Sequence, residues 1–173
     1  KIAGDPAADS SPSNNFNNAA FDCQIKIHEG VRNQVYLDSL GLSTGGVGHL
    51  IRSNELVEYP VGSPIPDAQI SKWLEQDTST SIKIAQTLCA DSWATLSDVR
   101  KRAVADLAYN LGQPRLSKFT NFLKAMNSKD FDKAAIELRN SKWYSQVGRR
   151  GPNITTMIAT SVDPNRCDKK FPE

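Results

Sequence analysis

Four side chains with possible chemistry lie within one short, glycine-rich stretch of the chain. Glu29, Asp38, Thr44 and His49 fall in residues 28–50, HEGVRNQVYLDSLGLSTGGVGHL. Two carboxyl groups could form the pair with which glycosidases cleave a sugar polymer, one as a proton donor and the other acting through a water. The same stretch could also be an ordinary glycine-rich hairpin with charged edges. The residue types alone slightly favour the hairpin.

Each of the first three side chains has a chemical and a plain interpretation. We expect Glu29 at the last turn of a helix, where the negative end of the helix dipole disfavours an ionised carboxylate. A carboxylic acid that stays protonated near neutral pH suits general acid catalysis, although position alone favours a surface glutamate. Asp38 could face it across a turn, or merely cap the turn at SLG. Thr44 could hold a water against Asp38, or be a simple strand residue.

His49 is a possible general base or metal ligand, but a structural role is the better interpretation. The chain has only one other histidine, and neither it nor a cysteine stands at the spacing of a zinc site. We expect the imidazole to pair with a carboxylate from the following helix. The sequence therefore predicts no metal site and no cofactor.

The surrounding sequence predicts an α+β fold that is mainly helical. Residues 1–20 are rich in Ser, Asn, Pro, Ala and Asp, which is typical of a flexible polar arm or linker. A short helix over 21–29 precedes a small antiparallel β lobe over about 30–65. Apolar residues at helical spacing then predict a long connecting helix and a helical lobe over about 66–161. Residues 162–173 are polar and are predicted to form an irregular tail.

Composition narrows the classes of function. The net charge of +2, from 21 basic and 19 acidic residues, is too small to indicate nucleic-acid binding. No apolar run approaches the roughly 18 residues that cross a bilayer, so no membrane insertion is predicted. Buried thiols are the favoured interpretation of Cys23, Cys89 and Cys167, with a Cys23–Cys167 disulfide as the alternative. The start at Lys1 suggests a piece of a longer chain.

The stretch also resembles a known family. IHEGVRNQVYLDSLGLSTGGVGHLI is similar to the signature of phage-type lysozymes, glycoside hydrolase family 24, in the frame E-G-x-R-x-x-x-Y-x-D-x-x-G-x-x-T-x-G-x-G-H-L. VRKRAVADLAYNLG resembles the central buried helix of that family, FTNFLKAMNSKDFDKAAIELRNSKWYSQ the two helices after it, and RRGPNITTMI an arginine-bearing segment. The resemblance covers about residues 21–161 and implies a lysozyme-like fold of two lobes.

The resemblance implies a role for each residue of the frame. Glu29 matches the proton donor, Asp38 the carboxylate that orients the attacking water, and Thr44 the hydroxyl that helps to hold this water. His49 matches a histidine in a buried ion pair with Asp77 of the connecting helix. Arg150 matches an arginine that the family places near the acid. If the alignment shifts by one position, Arg149 takes this place. The implied substrate-binding residues are Asn110, Phe119 and Glu137.

The implied reaction is hydrolysis, with inversion, of the β-1,4 bond between N-acetylmuramic acid and N-acetylglucosamine. The partner would be the glycan strand of peptidoglycan, and the chain would be a monomeric endolysin, made in the host cytoplasm for the periplasmic wall, or part of a larger virion tail protein. A lytic transglycosylase and a mainly structural tail-hub domain are the alternatives. One departure stands next to Thr44: Gly45 replaces the isoleucine usual in the frame, and we expect it to loosen the strand.

Overall fold

The computed structural model of the chain describes residues 16–172, so most of the predicted polar arm lies outside the described residues. Within them a small antiparallel sheet precedes a mainly helical remainder, which confirms the predicted α+β class. In chain order the elements are α1 (Asn18–Glu29), β1 (Arg32–Leu37), β2 (Ser43–Gly46), β3 (His49–Leu50), α2 (Asp67–Leu88), a 3-10 turn (Trp93–Thr95), α3 (Asp98–Leu116), α4 (Thr120–Asn127), α5 (Phe131–Arg139), α6 (Lys142–Gln146), α7 (Arg150–Thr160) and α8 (Cys167–Lys170).

Helix α1 begins earlier than predicted. The Asn17 side chain caps it by accepting a hydrogen bond from the backbone N–H of Ala20, and the helix ends where Gly30 adopts a φ of +75°. The ring of Phe16 packs edge-on against Phe21, which is fully buried. Phe16 also stacks on Trp93, and the backbone N–H of Asn17 donates to Asp98. Residues 16–20 therefore belong to the folded domain rather than to the arm, and the composition of this stretch could not indicate contacts with such distant residues.

The sheet has the order β1-β2-β3, and both pairings are antiparallel. Thr44 pairs with Tyr36 on one side and with Leu50 on the other, so it lies on the central strand. Gly45 pairs with His49, and the space beside its backbone is filled. The side chain of Ile65, itself buried, occupies the space that a Cβ on Gly45 would take.

Helix α2 connects the sheet to the helical lobe. Near its start Ile70 and Trp73 pack against the backbone of Gly46. Farther along, α2 contacts α3, which runs through the centre of the lobe with residues 101–108 all buried. Helix α3 kinks at Gly112, whose φ is +76°. None of the helices in residues 16–172 is both long and apolar enough to cross a membrane.

Most of the carboxy-terminal segment has no regular secondary structure, but the buried Asp163 and Cys167 anchor it to the rest of the domain. It contains α8, and Cys167 in this helix forms a disulfide with Cys23 of α1. The favoured interpretation of free thiols is thus wrong for these two residues and holds for Cys89, which is buried and unpaired. Asp163 is buried and accepts a hydrogen bond from the guanidinium of Arg102 at 3.0 Å. The polar composition of the segment did not indicate these contacts, because they join residues that are far apart in sequence.

Candidate active site

Glu29 is the last residue of α1, and its side chain is about 20% exposed. Arg150, the first residue of α7, donates a hydrogen bond from Nη1 to its Oε2 at 2.6 Å. On the other side the carboxyl group lies directly against Gly48, whose φ is +63° and whose missing Cβ would lie 2.7 Å from Cδ of Glu29. An arginine and a glycine backbone therefore hold the carboxyl group in one position. Arg149, the alternative in the arginine register, is exposed.

Arg150 contacts a second carboxylate, which belongs to Asp106 in the middle of α3. Its Nε donates to Oδ1 of Asp106 at 2.8 Å, and the Asp106 side chain has no exposure to solvent. Burial alone would raise the pKa of Asp106, but the Arg150 charge and hydrogen bonds from His28 and Gln24 lower it. Burial likewise opposes the charge of Arg150, yet Asp106 and Glu29 raise the pKa of its guanidinium.

Neither Asp106 nor His28 was a predicted site residue. The one signal in the sequence was an aspartate in the otherwise apolar run AVADLA, where a charged residue needs a buried partner. That partner comes from α7, and His28 comes from α1, so no local pattern could identify them.

Asp38 and Thr44 meet at the backbone of Leu42. Oδ1 of Asp38 accepts hydrogen bonds from the N–H groups of Leu42 at 2.8 Å and Leu40 at 2.9 Å. The hydroxyl of Thr44, which is buried, donates to the carbonyl of Leu42 at 3.0 Å. Asp38 is thus the turn-capping residue of the plainer interpretation, and the cap fixes the position of its carboxylate.

His49 contacts two carboxylates and an aromatic ring. Its Nδ1 lies 2.7 Å from Oδ2 of Asp77 and its Nε2 3.1 Å from Oε1 of Glu55. The imidazole stacks on Trp73 with a centroid separation of 4.2 Å. Burial lowers the pKa of His49, but the hydrogen bonds and charges of Asp77 and Glu55 outweigh it, so that the pKa is raised. The structure brings His49 and Asp77 together, and Glu55 adds a contact that the sequence did not suggest.

A second link between the lobes comes from Tyr109 on α3. Its hydroxyl donates a short hydrogen bond to the carbonyl of Val47, in the turn between β2 and β3. The next residue of the turn is Gly48, which touches Glu29. Tyr109 therefore helps to position the turn against the candidate acid.

Two of the three candidate substrate residues line a groove, and the third supports a residue in the wall of this groove. Phe119 and Glu137 line a groove of about 740 Å³ together with the indole of Trp143. Asn110 is not in its lining and instead accepts a hydrogen bond from Nε1 of Trp143 at 2.8 Å. Glu137 also forms an ion pair with Lys133 at 3.5 Å on the surface of α5. Asn110 therefore orients the aromatic wall of the groove.

The described residues offer no group of three or more His, Cys, Asp or Glu side chains arranged to hold a metal ion. The chemistry that the site can perform with its own side chains is proton transfer and the activation of a water. Glu29 is the candidate for the first task, and Asp38 with Thr44 are the candidates for the second.

The chain is similar to known proteins over most of its length. The family model described as phage lysozyme matches residues 26–156. The chain is 28% identical to probable T4-type lysozyme 2 of Dictyostelium discoideum, over 80% of this chain and 92% of that protein. It is 27% identical to the pre-baseplate central spike protein Gp5 of Enterobacteria phage T4, over 86% of this chain but 29% of that protein. It is 29% identical to peptidoglycan hydrolase gp36 of Pseudomonas phage phiKMV, over 78% of this chain but 14% of that protein.

Proposed function

Because this chain belongs to the phage lysozyme family, we propose that it hydrolyses, with inversion, the β-1,4 bond between N-acetylmuramic acid and N-acetylglucosamine in peptidoglycan. Membership makes the chain a glycoside hydrolase of the lysozyme type, and the gp36 relative is named as a peptidoglycan hydrolase. Glu29 protonates the leaving oxygen, while Asp38 and Thr44 orient the attacking water.

The observation that carries this proposal is the fixed position of the Glu29 carboxyl group. Arg150 holds one oxygen at 2.6 Å, and the backbone of Gly48 packs against the group from the other side. A general acid gains most when it already has its reactive geometry before substrate binds. A surface glutamate at a helix end would show neither restraint.

The two carboxylate oxygens of Asp38 differ in their hydrogen bonds, and this difference supports a water-orienting role. Oδ1 accepts two backbone hydrogen bonds, whereas Oδ2 accepts none from residues 16–172. The Thr44 hydroxyl donates its proton to Leu42 and keeps lone pairs that can accept a hydrogen bond from water. A water between the Asp38 carboxylate and Thr44 would therefore meet acceptors on both sides.

The test is a turbidity assay on permeabilised Gram-negative cells. We expect Glu29→Gln to lose at least about 100-fold in activity, the usual contribution of general acid catalysis, and Asp38→Asn to lose activity as well. Glu58→Gln makes the same chemical change at an exposed position and should behave like wild type. Lysis at the wild-type rate by Glu29→Gln would refute the assignment. Mass spectrometry of the released fragments should show reducing ends, and anhydro ends would identify a transglycosylase instead.

A place in a virion tail is the second part of the proposal. The chain matches only 29% of a central spike protein and 14% of a phage peptidoglycan hydrolase, so such domains occur inside larger phage proteins. The Cys23–Cys167 disulfide suits a protein that works outside a reducing cytoplasm. Mass spectrometry of purified particles decides the matter: peptides of this chain in the particles support a tail protein, and peptides confined to the lysate support a free endolysin.

A further inference from the structure

A chain of side-chain hydrogen bonds leads away from the Glu29–Arg150 pair to the carboxy-terminal segment. Arg150 bridges Glu29 and Asp106, as described above. The second oxygen of Asp106, Oδ2, lies 2.7 Å from Nδ1 of His28. On the far side of the imidazole, Nε2 of His28 lies 3.2 Å from Nδ2 of Asn153 in α7. Hydrogen bonds therefore connect Glu29 to side chains of α3, α1 and α7.

The chain ends on a segment that is itself anchored. Nδ2 of Asn153 also donates to Oδ1 of Asn165 at 3.2 Å. The backbone N–H of Asn165 donates a hydrogen bond to the carboxylate of Asp163. This buried carboxylate also pairs with the guanidinium of Arg102. The disulfide from Cys167 then ties the same segment to α1, the helix that carries Glu29.

The donors and acceptors determine the proton position on His28. An amide nitrogen such as Nδ2 of Asn153 only donates, so Nε2 of His28 must accept. The imidazole proton is then on Nδ1, from where it is donated to Asp106. His28 thus supplies Asp106 with a hydrogen bond.

The charges around Glu29 give this arrangement a consequence. Arg150 carries one positive charge between two carboxyl groups, and Asp106 is held ionised in a site without solvent. With Asp106 ionised, the three-residue cluster is neutral when Glu29 carries a proton. Two other titratable groups contribute little: burial raises the pKa of Tyr109, which stays neutral, and Asp77 is paired with His49.

We propose that Asp106, oriented by His28 and Asn153, is a positioning residue that takes up the charge of Arg150 and so allows Glu29 to keep its proton at the pH of the reaction. This inference rests on the proposed function of Glu29 as the general acid. Without a carboxylate at position 106, Arg150 pairs with Glu29 alone and favours its ionised form.

The experiment compares pH profiles of kcat/KM for the full chain and its variants on soluble peptidoglycan fragments. For Asp106→Asn we expect the alkaline limb of the profile to move to lower pH by about one unit, which is a tenfold loss on that limb. The loss should lie in kcat, with KM nearly unchanged, because no contact to substrate is removed. An active, folded Asp106→Asn protein with the wild-type limb would overturn the proposal.

Asn153→Ala provides a variant that is safer for folding, because Asn153 is only half-buried. It releases His28 from its outer partner, and we expect a smaller shift of the limb in the same direction. Asn127→Ala is the matched control, since Nδ2 of this half-buried asparagine also donates two hydrogen bonds, to the carbonyls of Leu88 and Leu123. It should lose comparable stability and leave the limb in place.

Two outcomes separate this inference from the proposed function. An inactive wild type, or a fully active Glu29→Gln, refutes the proposed function itself. The role of the Asp106 chain alone is refuted if the wild type needs Glu29 but the alkaline limb of kcat/KM is the same in Asn153→Ala and Asn127→Ala. This second comparison remains decisive if Asp106→Asn does not fold.

Discussion

Replacing Gly48 with alanine should damage catalysis more than it damages the fold. This glycine has a φ of +63°, and its backbone lies against the carboxyl group of Glu29. An added Cβ would be 2.7 Å from Cδ and 3.1 Å from Cγ of that side chain. Carbon atoms without a bond between them pack at about 3.5–4.0 Å, so the Glu29 carboxyl group must move by roughly 1 Å.

The two effects of the substitution have different sizes. The left-handed backbone conformation costs alanine about 1–2 kcal/mol in the free energy of unfolding. For a chain of this length the melting temperature should then fall by roughly 2–8 °C. A displacement of about 1 Å at a reacting group costs on the order of 100-fold in rate, so we expect kcat to fall by that factor while most of the protein remains folded at 25 °C.

Gly62→Ala is the control that isolates the contact with Glu29. Its φ of +92° imposes backbone strain at least as large, but no atom lies within 4 Å of the position of its Cβ. Turbidity rates and thermal unfolding should be measured for both variants. Gly62→Ala should lose stability and keep its kcat. A Gly48→Ala protein with the kcat of wild type, or equal losses of kcat in the two variants, would refute the steric argument.

Three further predictions concern the packing and titration of groups around the site. Gly45→Ala should destabilise the protein by about 1 kcal/mol through overpacking, and Ile65→Val in the same chain should restore stability by removing the methyl group that fills this space, as urea unfolding would show. If Gly45→Ala alone is as stable as wild type, the space is not filled as described. Because the pKa of His49 is raised above 6.5, its contribution to stability is complete below that pH and is lost as the pH rises through the folded value. Unfolding between pH 6 and 9 should show this loss, and His49→Gln should remove it; an unchanged slope would contradict the pairing with Asp77. Burial raises the pKa of Cys89 to about 12, so a thiol reagent should label no cysteine in the native protein and one in urea, and labelling of the native protein would contradict this.

The candidate acid, aspartate and threonine were identified in the sequence through one short motif. Glu29, Asp38 and Thr44 lie within 16 residues, and the resemblance of this stretch to a family signature, rather than their residue types, assigned them roles. The fold class followed from the change between strand and helix periodicity near Pro66. Such patterns report on neighbours along the chain, and here the neighbours along the chain are also neighbours in space.

The parts that could not be predicted depend on pairs from distant segments. Asp106 and Arg150 are separated by 44 positions, and the two half-cystines by 144. A polar residue in an apolar run shows that a partner exists, but it does not show which helix supplies it. The packing at Gly45 could not be predicted for the same reason, because Ile65, which fills the space, lies twenty residues away beyond the hairpin.

The two histidines show why pH should act differently on the fold and on the acid. His49 lies between two carboxylates, so its protonated form is favoured and its loss of a proton weakens the attachment of the sheet to α2. His28 lies between one carboxylate and the side-chain amide of Asn153. Deprotonation of His49 therefore changes stability without changing the hydrogen bonds that lead to Glu29. It follows that the alkaline limb of kcat/KM should persist in His49→Gln while the pH dependence of unfolding is lost, and a joint loss of both would mean that the sheet and the acid titrate as one unit.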